Sequence, residues 1–364
     1  MNYPTILSVL IIVTGAPERG RDAHDEPTFR GKTASNWIEV LQKDPKPERR
    51  RAALVALRIL GPNVSGVVAG ISSGLKDPVS SIRQDAAQAI AEMGAGAQEA
   101  VSALARVLRS DKSDAVREAA AKALGRIGAP SKAAVAELAG ALKDPHTGTR
   151  RSAAEALAQI GPEARAAVSG LTALLKDQDR LARIQAAFAL GRVGLDSQDA
   201  VSSLSASLSS DPDADVRRVA AEALARFEAK ATDIVPALAK ALKDSRLEVR
   251  QAAVNGIARM GAAAKSILPQ LLEAVRDPDK FVRTVAIRAV GIFGKDSSLV
   301  APALIERLDD NAVEVRLAAT EELGRMGPAA KAALPGLRKA MRSDYHQEVR
   351  QAAEDAIKRI ESGK

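Results

Sequence analysis

The sequence predicts an all-α chain wound as a right-handed α-solenoid of about ten two-helix repeats, and three observations carry that expectation. The first is composition. About a fifth of the 364 residues are Ala and only 2% are aromatic, a mix that suits closely packed helices and suits sheets badly, because Ala is the best helix former while strands favour β-branched and aromatic residues. The second is register: an Asp followed six residues later by Arg, and three further by Ala, returns at intervals of 33 or 34 residues through the chain. The third is that each interval carries apolar residues at helical spacing, so every copy is a small helical unit that needs its neighbours to complete a core.

Taken in order, the chain opens with "MNYPTILSVLIIVTGAPERG", where an apolar run from Ile6 to Val13 is followed by the small residues Gly15 and Ala16. That layout is expected of a signal peptide over residues 1–16, too short to span a bilayer. It predicts export to the periplasm or the outside, although the stretch before the run has no Lys or Arg and Pro17 follows at once; without export the protein is cytoplasmic. Residues 17–31, polar and holding Pro and Gly, are expected to be a linker. The repeat array occupies 32–361.

Ten copies of the pair stand in register: Asp44/Arg50, Asp77/Arg83, Asp111/Arg117, Asp144/Arg150, Asp177/Arg183, Asp211/Arg217, Asp244/Arg250, Asp277/Arg283, Asp310/Arg316 and Asp344/Arg350. Counting from the Asp, small or apolar residues at +5, +9, +12, +13 and +16 draw one helical stripe, as in Val216, Ala220, Ala223, Leu224 and Phe227. Position +9 is Ala in all ten copies, so neighbouring helices are expected to approach most closely there. A Gly at +17 ends this helix in most units, as at Gly61, Gly128 and Gly194. The other helix precedes the Asp, as in "ATDIVPALAKALKD", and Pro236, Pro269, Pro302 and Pro335 stand early in it in four successive units, at little cost or with a shared bend.

The pattern "LxDPxxxVRxxAxxALxxxG" resembles the HEAT repeat family, and in particular the short bacterial HEAT-like repeats also found in phycobilisome lyase subunits. Its period is shorter than the roughly 40–47 residues usual for HEAT units. The resemblance implies an armadillo/HEAT-type superhelix in which the second helices line the concave face. It also implies that the ten aspartates and arginines form a structural ladder, each Arg bonding its own or the next unit's Asp. An Asp ahead of the second helix suits that helix's dipole as well.

Chemistry is poorly represented. With no Cys, disulfides, thiolate catalysis and Cys-ligated zinc are excluded. The three His are His24 in the linker and His146 and His346 at the +2 loop position of units four and ten, too far apart to share a site. No P-loop or dinucleotide fingerprint is present. Neither catalytic residues nor a metal or cofactor site is expected, and adjacent carboxylates such as Glu321 and Glu322 are expected to be solvated. The charge is +8, from 53 basic and 45 acidic residues without a basic block, so nucleic acid is not the expected partner.

One row stands out. Position +15 is Arg in six units, Arg126, Arg192, Arg226, Arg259, Arg325 and Arg359, and on the concave face these would form a basic track for a partner. Acidic residues four earlier offer to neutralise it as Glu222/Arg226, Glu321/Arg325 and Asp355/Arg359. Unit six also ends in Phe227-Glu228 where most others have an apolar residue and Gly, which marks both for recognition together with Arg226. Trp37, in the first helix, is expected to cover the exposed end of the core. The function expected is a non-catalytic scaffold holding another protein or an extended peptide, with some negative charge, along the concave face. A phycobilin-lyase-like enzyme subunit and a DNA-binding HEAT protein are the alternatives.

Overall fold

The computed structural model describes residues 26–294 and 297–362. The expected signal peptide, most of the linker and His24 lie outside the described residues.

Because each unit is amphipathic and too small to bury its own apolar stripe, the units stack. Among the described residues there are twenty α-helices in ten pairs, from Ala34–Lys43 with Pro47–Leu60 to Leu334–Ser343 with Gln347–Ser362. A single apolar core runs from Ala34 to Ile360. Among the described residues the sheet content is one hairpin of two-residue strands, Thr28–Phe29 against Lys32–Thr33. The architecture is an all-α solenoid.

The +9 alanines sit where the repeat pattern puts them. All ten, from Ala53 to Ala353, are 0% exposed. In unit two, Ala86 faces Gly74 of its own first helix, so closely that a Cβ on Gly74 would lie 3.2 Å from the Ala86 methyl. In this unit the methyl at +9 sets the spacing of the two helices.

The glycines after the second helices act as left-handed stops. Gly61, Gly94, Gly128, Gly161, Gly261 and Gly327 have φ between 52° and 84°, a region costly for a residue with a Cβ. Past five of them the chain runs through a 3-10 turn before the α-helix begins, as at Gly161–Ala167 ahead of Val168–Leu174. The first helix is therefore a tight turn followed by a short α-helix in these units, and not the single helix its periodicity suggests. Gly194 differs, with φ −100°; the Ser197 hydroxyl then caps the helix Gln198–Ser210 directly, accepting from the Ala200 amide. Pro269 and Pro335 open the α-helical portions of their units, whereas Pro236 and Pro302 lie inside helices.

Residues 28–31, inside the segment expected to be linker, belong to the hairpin, which folds over the first unit. The Trp37 indole donates to the Phe29 carbonyl at 3.1 Å, its ring lies 6.5 Å from that of Phe29, and the Lys32 ammonium stands 4.8 Å from its centre. Trp37 and the hairpin together cover the open end of the stack.

Candidate functional site

The Asp–Arg pairs form a regular frame at the loops between helices. Each Asp accepts the backbone N–H two residues on through Oδ1, at 2.8 to 3.0 Å in all ten units. Each Arg donates Nη1 to the backbone carbonyl of its own unit's Asp, as Arg217 does to Asp211 at 2.9 Å. Its side-chain partner is the carboxylate of the next unit: Arg217 Nε and Nη2 reach Asp244 at 2.7 and 2.9 Å. Of the two pairings the resemblance allowed, the carboxylate bond goes to the next unit and the backbone bond to the unit's own Asp. Arg217 holds the Asp244 carboxyl below the usual range, against the opposing effect of burial.

Eight of the nine seams carry this two-bond fork. The ladder is nevertheless less uniform than ten identical pairs in the sequence suggest, and three arginines depart from the pattern. Arg250 makes the loosest of the eight forks, at 2.8 and 3.2 Å to Asp277, and its bond back to the Asp244 carbonyl is 3.1 Å. Arg350 is not a rung between units. It belongs to the tenth unit, donates Nη1 to the carbonyls of Asp344 and Tyr345 at 2.6 and 3.1 Å, and meets no carboxylate of the register among the described residues. Of the two bonds the resemblance implies, Arg350 makes the one to its own unit's Asp, through the backbone carbonyl. At the opposite end Asp44 accepts Arg49 at 3.3 Å, and no arginine of another unit reaches it among the described residues.

The third departure lies between units eight and nine. There Arg283 reaches Asp310 through Nη2 alone, at 2.8 Å, and also touches the Asn311 side chain. Arg307 stands 3.6 Å from the other oxygen of Asp310, and the Nε atoms of Arg283 and Arg307 are buried without partners.

The second helices pack against one another across small residues. At Gly191 an added Cβ would lie 2.9 Å from the Ala223 methyl and 3.0 Å from its Cα. Position +12, which meets the preceding helix here, is Ala in eight units, Gly256 in one and Glu322 in one. Glu322 is 3% exposed and fits because Gly291 opposite has no Cβ: one there would fall 2.2 Å from Oε2. Burial pushes the Glu322 carboxyl up, only partly offset by Arg325, which bonds it directly. The sequence expectation of a solvated carboxylate is corrected: the +12 position faces a helix, not water.

A concavity of about 760 Å³ lies across the second helices of units two, three and four, lined by residues such as Gln88, Glu92, Lys122, Arg126 and Gln159. Its lining comes from positions +4, +7, +8, +11, +12, +14 and +15. A smaller hollow of about 260 Å³ on units one and two shares Gln88 and Glu92 with it and extends to Val55. Six of the eight large apolar side chains exposed among the described residues occupy equivalent positions: Val55 and Ile59, Leu181 and Phe188, Phe281 and Ile292.

The six +15 arginines are all exposed on this face, but they do not form a uniform track. Arg126 lines the larger concavity. Arg192 and Arg226 donate Nε to the carbonyls of Ala158 and Gly191 on the preceding second helix, at 2.8 and 2.7 Å. Arg259 bonds Glu228 at 2.7 Å and Arg325 bonds Glu322, while Arg359 stands near the end of the last helix.

The expected i,i+4 pairs are not the ones that form. Glu222 accepts from Arg218, Arg325 turns to Glu322 and not Glu321, and Asp355 accepts from Gln351. Arg226 goes to a backbone carbonyl on the preceding helix, Arg325 to a carboxylate three residues back on its own helix, and Glu222 and Asp355 to donors four residues earlier. Phe227, marked for recognition by the sequence, is only 1% exposed and belongs to the core, and Glu228 is held by Arg259. His146 caps its helix, accepting the Thr149 amide at 3.3 Å. The apolar members of the row were legible only as residues at +4, +11 and +15, and no periodic signal singled them out.

A stack of helix pairs bound by a carboxylate–guanidinium ladder, with one face built from second helices, defines a repeat solenoid. The chain belongs to the HEAT repeat family: a model described as HEAT repeats matches residues 34–125, 68–157, 107–191, 135–225, 201–291, 235–313 and 268–358. No curated protein matches it. Among solved structures it is similar to Kap95p bound to RanGDP, with TM-score 0.59, 14% identity, and coverage of 90% of this chain and 51% of that one. It is also similar to yeast importin-beta, Kap95p, with TM-score 0.58 at the same identity and coverage. Kap121p bound to the extreme C-terminus of the protein phosphatase Cdc14p gives TM-score 0.53, 15% identity, and coverage of 90% and 41%. The chain thus spans about half the length of these structures or less, and at such identities the likeness shows the fold alone.

Proposed function

We propose that the protein is a non-catalytic interaction scaffold that holds a protein or an extended peptide along the second-helix face. One observation carries this: the exposed large apolar side chains gather in units one, five and eight at the positions that line the concavity elsewhere. Solvent-facing Phe and Leu have no reason to share one row unless something covers them. The spread over several units suits a partner that lies lengthwise, as solenoids bind. A similar fold holding a protein tail in Kap121p supports the same use.

The test is site-specific photocrosslinking in the native host. A benzophenone side chain at Val55, Phe188 or Ile292 is expected to capture one and the same protein. The same probe at Leu299 or Ala206, exposed on first helices, is expected to capture none of it. Equal capture from first-helix positions, or none from the second-helix row, would refute the reading.

A further inference from the structure

The second-helix face of units five and six differs from the rest of the row. Leu181 and Phe188, on the helix Arg180–Val193, are 38% and 47% exposed. They stand seven residues apart, on one side of that helix. Arg192 lies beside them, its guanidinium carbon 5.8 Å from the centre of the Phe188 ring. Arg226, from the next unit, crosses toward the same helix and passes over Gly191; a Cβ at Gly191 would come 3.4 Å from its Cδ. Two guanidinium groups and two apolar side chains therefore meet on one patch.

Both arginines are braced in the same manner. Nε of each is bonded to a backbone carbonyl of the preceding helix, which fixes the plane of the guanidinium and leaves the Nη groups for something else. Neither makes an ion pair among the described residues. The carboxylates nearby are committed elsewhere: Glu222 and Asp215 to Arg218, Asp213 to Arg180, Glu155 to the Gln159 amide. Burying an unpaired guanidinium under a purely apolar partner is strongly unfavourable, whereas carboxylates pair with its planar fork.

We infer that units five and six form a binding site for an acidic, apolar peptide segment, its Leu- or Phe-like side chain on Leu181 and Phe188 and its carboxylates on Arg192 and Arg226. The inference deepens the scaffold reading and rests on it. A nucleic-acid strand fits less well. The exposed ring already carries a guanidinium over its face, where a base would stack.

A random peptide library displayed on phage, panned on the full chain and counter-selected on the Arg192→Glu/Arg226→Glu variant, tests this. The expected consensus combines Asp or Glu with Leu, Ile or Phe. A labelled peptide of that consensus is expected to bind about tenfold or more weakly to Phe188→Ser and to the double variant. Replacing its acidic residues by Lys is expected to restore binding to the double variant. Since the substituted side chains are exposed, unchanged melting curves serve as the control for folding. Basic or purely apolar consensus sequences, no enrichment, full affinity in both variants, or tighter binding of single-stranded oligothymidylate to this patch would overturn the inference. Crosslinks recovered at Val55 and Ile292 but not at Phe188 would also overturn it, while leaving the scaffold reading intact.

Discussion

Arg217 bonds the Asp211 backbone in its own unit and the Asp244 carboxylate in the next, so one side chain fixes both a loop and a seam. Lys has a single ammonium and cannot hold the fork and the carbonyl together. Arg217→Lys is expected to cost about 1–3 kcal/mol at that seam, read as faster amide hydrogen exchange in units six and seven than in distant ones. Arg350 bonds carbonyls of its own loop and, among the described residues, no carboxylate of the register, so the same exchange measurement on Arg350→Lys should change in unit ten alone. Glu322 raises the opposite case, a carboxylate whose burial is unfavourable. Its folded pKa lies above the ordinary value, so the folded state holds the proton more tightly than the unfolded chain. The penalty is absent below the usual Glu range of about 4.3, grows as pH rises through the elevated value and is complete above it. Glu322→Gln is therefore expected to stabilise by about 1 kcal/mol at neutral pH, with the gain disappearing in melting curves recorded below about pH 4. Unchanged relative melting across that range would refute the assignment.

Within an element, the lesson concerns which distances a sequence displays. Helix faces were legible, because a 33- or 34-residue register repeated ten times puts every +9 Ala in the core and most of the Gly stops at left-handed turns. Contacts between elements were not. Glu222 and Arg226 are spaced as a local pair, yet Arg226 finds a better-oriented carbonyl on the preceding helix, 35 residues back. Phe227 continues the apolar stripe at +16 and lies in the core, whereas Glu322 departs from the pattern at +12, and only packing tells that it is buried against Gly291. The exposed apolar row is not legible in the sequence, because a Leu or Phe at +4 or +11 breaks no helical rule. The legible part supports a firm expectation: Ala220, 0% exposed, has no room for a larger side chain. Ala220→Trp should destabilise by about 1–3 kcal/mol, visible as a lowered urea midpoint.

Across the whole molecule, stability is close to a sum of unit terms and nearest-neighbour seams, so the array opens first where a seam is weakest. That seam lies between units eight and nine, where three departures coincide. The ladder fork is reduced to one nitrogen of Arg283, two buried Nε groups have no acceptor, and Glu322 replaces the small residue at the helix contact. Each buried unpaired donor costs about 1–3 kcal/mol. Even the loosest of the other forks, Arg250 on Asp277, keeps both of its bonds. Hydrogen exchange at neutral pH is expected to show the amides around 283–291 and 313–323 exchanging faster than those of equivalent positions in units three and four. Limited proteolysis should then release a fragment ending near unit eight before any other. Asn311→Ala combined with Arg307→Leu removes the competing groups around Asp310 and should allow Arg283 to form the full fork. Exchange at the seam should slow accordingly. Uniform exchange along the array, or no slowing in the double variant, would show that the irregular rung does not set the order of opening.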